Sequence, residues 1–170
     1  MNLHAETTLD EDADLVFARA RDELHGFALH MPDVASFEPL RTIRGGPSFE
    51  RTDRVGARVA PVSIAGKRLS EARWLLHSSW HAPSRTAHWQ VDVEYPVDAL
   101  HAGGLIEVLP RGPGAALLRV HGTLRLRPEA VGLGLFGKAM ASSIERVVAG
   151  RVETNLRRML EAAHRAQRAA

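Results

Sequence analysis

The sequence predicts an α+β architecture: a curved antiparallel β-sheet of about seven strands wrapped around a long C-terminal α-helix, with two short helices after the first strand. Three observations predict it. From Phe49 to Arg127 the pattern is β throughout, with no helical period between successive strands. Registered as hairpins, those strands gather apolar side chains on one face and polar ones on the other, so one face needs a cover. A helical period then runs from about Leu133 to Ala166, on the order of 50 Å at about 1.5 Å per residue, long enough to supply it.

The first strand is read from the alternation of Leu3 to Leu9. The acidic run Asp10-Glu11-Asp12 offers a helix N-cap and a favourable first-turn charge. Ala13, Val16, Phe17, Ala20 and Leu24 follow at helical spacing, and Gly26 is the expected stop. A second short helical or irregular piece covers Phe27 to Val34, broken at Met31-Pro32 because proline disfavours helical geometry in the residue before it. Phe37 to Ile43 reads as strand, ending at Gly45-Gly46-Pro47.

Two hairpins can be registered from their side chains. Arg73 to His81 pairs with Thr86 to Tyr95 across Ala82-Pro83-Ser84-Arg85, which sets Trp74 opposite Val93, Leu76 opposite Val91, Ser78 opposite Trp89 and Trp80 opposite Ala87. The other face then collects His77 with Gln90, Ser79 with His88, and His81 with Thr86. In the next hairpin Val108 faces Leu118, Ile106 faces Val120 and Gly104 faces Gly122 across an Arg111 to Ala115 loop. That register puts Glu107 against Arg119 on the outer face, and a one-residue slip would destroy the pair. The strands between Phe49 and Arg68 carry no comparable marker of orientation.

The terminal helix keeps Phe136, Met140, Ile144, Val147, Val148, Val152, Leu156, Met159, Leu160 and Ala163 in period. A chain of 170 residues, 45% of them apolar, has room for one core, so a single domain over 1–170 is expected. It has no cysteine, which excludes disulfides, thiolate metal sites and thiol nucleophiles. There is no apolar run of spanning length and no basic-then-apolar opening, so a cytoplasmic protein without stable membrane insertion is expected. Residues 1–40 hold nine acids against Arg19 and Arg21, a balance of −7, which leaves +9 for the other residues if the total is +2. The arginines are dispersed and aromatics make up 5%, so the basic part reads as solvated surface rather than a nucleic-acid interface.

This order of elements, the opening Thr8-Leu9-Asp10-Glu11-Asp12-Ala13-Asp14-Leu15-Val16-Phe17 and the stretch Met31 to Leu40 resemble the START-like, or SRPBCC, superfamily over nearly the whole chain. The resemblance implies a helix-grip fold with an apolar cavity between sheet and long helix. The superfamily includes lipid carriers, plant ligand binders, polyketide aromatase/cyclases and cochaperones. A small apolar ligand, such as a lipid, isoprenoid or polyketide-like molecule, is therefore the expected partner, with no cofactor. A polyketide cyclase/dehydratase-type enzyme and a cochaperone-like interaction module are the alternatives.

A curved sheet cannot lie flush against a straight helix, so side chains must fill the gap or leave a hollow. The candidate lining is Trp74, Leu76, Ser78, Trp80, Trp89, Val91, Val93, Tyr95, Ile106, Val108, Leu118, Val120 and Leu124 from the sheet, with Phe136, Met140 and Ile144 from the helix. Ala87, Gly104, Gly122 and Ala139 leave space among them; the alternative is that the aromatics simply fill a closed core. Ser78 and Tyr95 are the polar exceptions on this face. Gly132-Leu133-Gly134-Leu135-Phe136-Gly137 lacks the lysine and spacing of a phosphate loop and reads either as a pliable gate over Ala130 to Gly137 or as helix docking.

Catalytic signatures are sparse. His77, His81, His88 and His121 are expected on the outer face or rim without metal, and no catalytic residue is assigned. Ser142-Ser143 sit in the helical period, and there is no Gly-x-Ser-x-Gly elbow. The two registers place no ionisable side chain on the apolar face, but one from the unregistered stretch, such as Arg54, Arg58 or Lys67, would reopen catalysis.

Overall fold

The structure, a computed structural model, describes residues 1–23, 26, 28, 30–31, 33–64, 67–95, 100–127, 146, 150–155, 157–159, 161–162 and 165, without the side chains of 59–64, 67–70, 95 and 126. In chain order the elements are β1 (Asn2–Leu9), α1 (Ala13–Asp22), β2 (Val34–Gly45), β3 (Ser48–Ile64), β4 (Lys67–His81), β5 (Thr86–Tyr95), β6 (Leu100–Gly112) and β7 (Ala115–Leu126). All seven strands form one antiparallel sheet in the order β1-β7-β6-β5-β4-β3-β2. The first strand closes against the last, and the chain then passes by α1 to the opposite edge, where β2 begins a run of consecutive hairpins.

Asp12 caps α1, accepting the amide of Asp14 at 3.0 Å, and Ala13, Val16, Phe17 and Ala20 are buried against the sheet. The helix ends at Asp22, earlier than the expected stop at Gly26. Glu23 leaves helical geometry there, its amide bonding the Arg19 carbonyl at 2.8 Å. Leu24 lies outside the described residues. Gly26, the expected stop, is itself helical; of the second short piece expected over Phe27 to Val34, residue 28 is helical while 30, 31 and 33 are bend or turn.

Both expected hairpin registers are present residue for residue. Trp74 pairs Val93, Leu76 pairs Val91, Ser78 pairs Trp89 and Trp80 pairs Ala87, with turn residues 82–85 between the strands. Val108 pairs Leu118, Ile106 pairs Val120, and Glu107 pairs Arg119. The connection between β6 and β7 is tighter than expected, since only residues 113 and 114 form the turn. Gly112 (φ 126°) and Gly114 (φ 69°) adopt backbone angles that side chains resist, and this closes the hairpin in two residues. Residues 150–155, 157–159 and 161–162 are helical, with Met159 and Ala162 buried. Within this segment Asn155 donates to the Asp33 carboxylate at 3.1 Å, tying it to the start of β2. Phe136, Met140, Ile144 and the segment Ala130 to Gly137 lie outside the described residues.

Candidate ligand-binding site

Reading across the strands, the inward side chains form successive rows. The row Ala5, Val120, Ile106, Ala87, Trp80 and Phe49 is buried throughout, because α1 lies on it. Phe17 of α1 meets Trp80 edge-on at 5.6 Å between ring centres, the arrangement the ring quadrupoles favour. The rows beyond α1 differ. Leu3 and Leu124 are buried at the β1–β7 end and Val55 at the β3 end, whereas Trp74, Leu76, Trp89, Val91 and Val93 on β4 and β5 remain half-buried. Thus the centre of the inner face beyond α1 is an apolar patch with water-accessible surface. Val108, Leu118 and Val120, together with Ile106, belong instead to the closed core beneath α1. The Tyr95 side chain is outside the described residues.

The two glycines expected to leave room do not leave it empty. Gly104 and Gly122 face each other in the ladder, and a Cβ on Gly122 would lie 2.4 Å from the Gly103 carbonyl oxygen and 2.6 Å from Cζ2 of Trp89. A Cβ on Gly104 would fall 2.0 Å from the His121 carbonyl oxygen. The missing side chains therefore allow close backbone approach and let the Trp89 indole lie over the sheet. Its Nε1 is buried with no hydrogen-bond partner among the described residues.

The sheet also carries an ionisable pair that the two registered hairpins do not contain. On β3 the inward parity is Phe49, Arg51, Asp53, Val55 and Ala57, all buried. Arg51 donates from Nε to Asp53 Oδ1 at 2.6 Å, with side-chain exposures of 7% and 0%. The guanidinium lies 5.8 Å above the Phe37 ring, and across the ladder Arg51 faces Ser78 while Asp53 faces Leu76. Ser78 is buried and satisfied locally: its Oγ accepts from Trp80 Nε1 at 2.9 Å. Arg54 and Arg58, named as possible inward groups, point the other way. Arg54 pairs with Glu94 at 3.1 Å on the outer face, which raises its already high pKa, and Arg58 is exposed. The side chain of Lys67 is outside the described residues. A parity signal was available in the sequence: Phe49, Val55 and Ala57 share the alternation that carries Arg51 and Asp53 inward.

The outer face is polar. A shallow trough of about 970 Å³ crosses it, walled by His4, His121 and His88 on one side and by His77, Gln90 and Thr52 on the other, over the backbone of the Gly122, Gly104 and Trp89 row. His77 is held by Thr52 (3.2 Å) and Asp92 (3.1 Å), His121 lies 3.5 Å from Glu107, and His81 contacts Ser84 at 2.8 Å. Among the described residues no three histidines or carboxylates are placed to hold a metal ion. The trough is open, mixed in polarity and on the opposite side of the sheet from the apolar patch. Burial of an apolar molecule belongs with the patch.

No protein-family model matches the chain, and no curated protein does. Solved structures do. TTHA0849 from Thermus thermophilus superposes with a TM-score of 0.66 at 21% identity, over 95% of this chain and 99% of that one. The Zhui aromatase/cyclase from Streptomyces sp. R1128 gives 0.67 at 18% identity, over 100% and 98%. A START superfamily protein from Mycobacterium smegmatis gives 0.60 at 15%, over 97% of both chains. This chain has the START-like fold. β1 to β7 are the seven-stranded antiparallel sheet of that fold, and the half-buried patch on β4 and β5 lies on the same face as α1. Likeness at these identities carries the architecture and leaves the chemistry to be argued from the residues.

Proposed function

We propose that residues 1–170 form one START-like domain that binds a small apolar ligand, a lipid, isoprenoid or polyketide-like molecule, between the sheet and a long C-terminal helix. The observation that carries this reading is the patch of Trp74, Leu76, Trp89, Val91 and Val93, five inward apolar side chains left half-buried while the row under α1 is closed. Burying such surface stabilises a bound molecule by about 25 cal/mol per Å² removed from water. In this proposal Phe136, Met140 and Ile144 complete the cavity from the helix, Tyr95 is one of its polar lining residues, and Ala130 to Gly137 is the gate. The cytoplasmic location read from the sequence belongs to the same proposal. Native mass spectrometry of the protein purified from its own host, followed by extraction of bound small molecules, tests the reading. A protein that arrives empty and leaves tryptophan emission unchanged with apolar probes counts against it and favours an interaction module.

A second reading, an enzyme of the polyketide cyclase/dehydratase type, is supported by the Arg51–Asp53 pair beside the patch. A guanidinium in a dry cavity polarises a ligand carbonyl, and a carboxylate beside it can accept a proton from the neighbouring carbon. Turnover of a poly-β-ketone substrate by the wild type, lost in Arg51→Gln with binding retained, distinguishes catalysis from carriage.

A further inference from the structure

Resting on the apolar-ligand reading above, we propose that the ligand is an amphiphile with an oxyanion head, and that Arg44, stacked on Phe49 at the open edge of the sheet, receives that head. Arg44 lies on β2, the edge strand, at inward parity directly opposite Phe49. Its guanidinium carbon is 5.7 Å from the Phe49 ring centre, and that of Arg21, from the last turn of α1, is 5.6 Å from the same ring. Arg51 follows in the next inward row. Three guanidinium groups thus run from the exposed edge towards the half-buried patch.

Their partners are unequal. Arg21 is engaged by Asp22 through two bonds of 2.9 and 2.7 Å, and Arg51 by Asp53 at 2.6 Å. Arg44 is exposed and makes no ion pair or side-chain hydrogen bond among the described residues. Among the described residues these three cations meet two carboxylates, Asp22 and Asp53, so a positive charge is left over, and Arg44, which shares Asp22 only at a distance, holds the surface end of the row. Stacking on Phe49 holds the planar guanidinium while leaving its fork of N–H donors available, the geometry that carboxylates and phosphate esters match bidentately. From Trp89 on β5, one inward row from Arg44, the span is three strand spacings across the sheet and two residues along it, about 16 Å. A chain of medium length lying on the patch therefore reaches Arg44 with its head.

The test uses stopped-flow tryptophan fluorescence with dodecanoate, dodecyl phosphate and dodecanol, on wild type, Arg44→Gln and Arg44→Lys. Removing an exposed charge leaves the fold intact, which thermal unfolding of each variant verifies. The expected result is a roughly fivefold slower association of an anionic probe with Arg44→Gln at low salt, a difference that vanishes in high salt. Dodecanol is expected to be unchanged, and Arg44→Lys to retain most of the rate. Whichever anionic probe loses more identifies the head group as carboxylate or phosphate. Equal association of all three probes with wild type and Arg44→Gln overturns this inference and leaves the apolar cavity standing. If none of the probes binds wild type, the cavity reading falls and this inference with it.

Discussion

Arg51 and Asp53 lie two residues apart on one strand, face the same side of the sheet and meet at 2.6 Å, both almost wholly removed from water. A buried pair of this kind adds little net stability when intact, because two desolvations offset the attraction. Removing one partner is different, since a charge is then stranded in an apolar surround.

Arg51→Met or Asp53→Leu alone is accordingly expected to destabilise the protein by about 3–5 kcal/mol, and the two together to recover most of the loss. Urea titrations of the single and double variants measure the coupling. Additive losses would show that the two side chains do not act as a pair.

A second expectation concerns Gly122. An added methyl meets a backbone carbonyl at 2.4 Å and the Trp89 ring at 2.6 Å, and backbone cannot step aside cheaply. Gly122→Ala should cost about 2–3 kcal/mol. Trp89→Leu in the same chain should recover only the portion due to the ring, because the clash with the Gly103 carbonyl oxygen persists. Full recovery would mean that the ladder itself tolerates a side chain there.

The expected registers and the observed ones coincide where the sequence carries a marker that only one pairing satisfies. Glu107 against Arg119 is such a marker, and so is the run of four apolar or small pairs from Trp74–Val93 to Trp80–Ala87. The β3 strand has none, and two charges at inward parity break the alternation that would have exposed it. Alternation assumes that charge marks solvent, and a buried pair of opposite charges violates that assumption. Gly104 and Gly122 were ambiguous for another reason. An absent side chain looks the same whether the space stays empty or a neighbour fills it, and only the structure shows the Trp89 ring lying there.

Acid sensitivity should report on Asp22 at the end of α1. The hydrogen bond from Arg21 holds the Asp22 carboxyl below its ordinary value, with Arg44 and Arg51 adding to the effect against the opposing influence of burial. A depressed folded-state pKa contributes stability that is present above the unfolded value of about 3.9 and is lost as pH falls through the lower folded value. The group is half-exposed, so the contribution is small. Melting temperatures of wild type should fall more steeply than those of Asp22→Asn between about pH 4 and 2. Parallel curves would assign the acid transition to other carboxylates.

Val91 separates a cavity from a closed core. It is inward, half-buried, opposite Leu76 in the ladder and packed near Trp89 and Leu124. In a filled core, Val91→Phe would force off-rotamer packing at a cost of about 1–3 kcal/mol. On a patch that faces open space the larger ring is accommodated, and the same change occupies volume that a ligand needs. The expected outcome is a stability within about 1 kcal/mol of wild type, or slightly above it, since the ring buries further apolar surface. Affinity for dodecanol should fall by about tenfold, equivalent to about 1.4 kcal/mol of lost binding. The two readings thus move different observables: overpacking shifts the urea midpoint and leaves no binding to lose, whereas cavity filling leaves the midpoint and removes the probe. A large fall in midpoint with unchanged probe affinity would close the patch as a binding surface and place any ligand site elsewhere on the sheet.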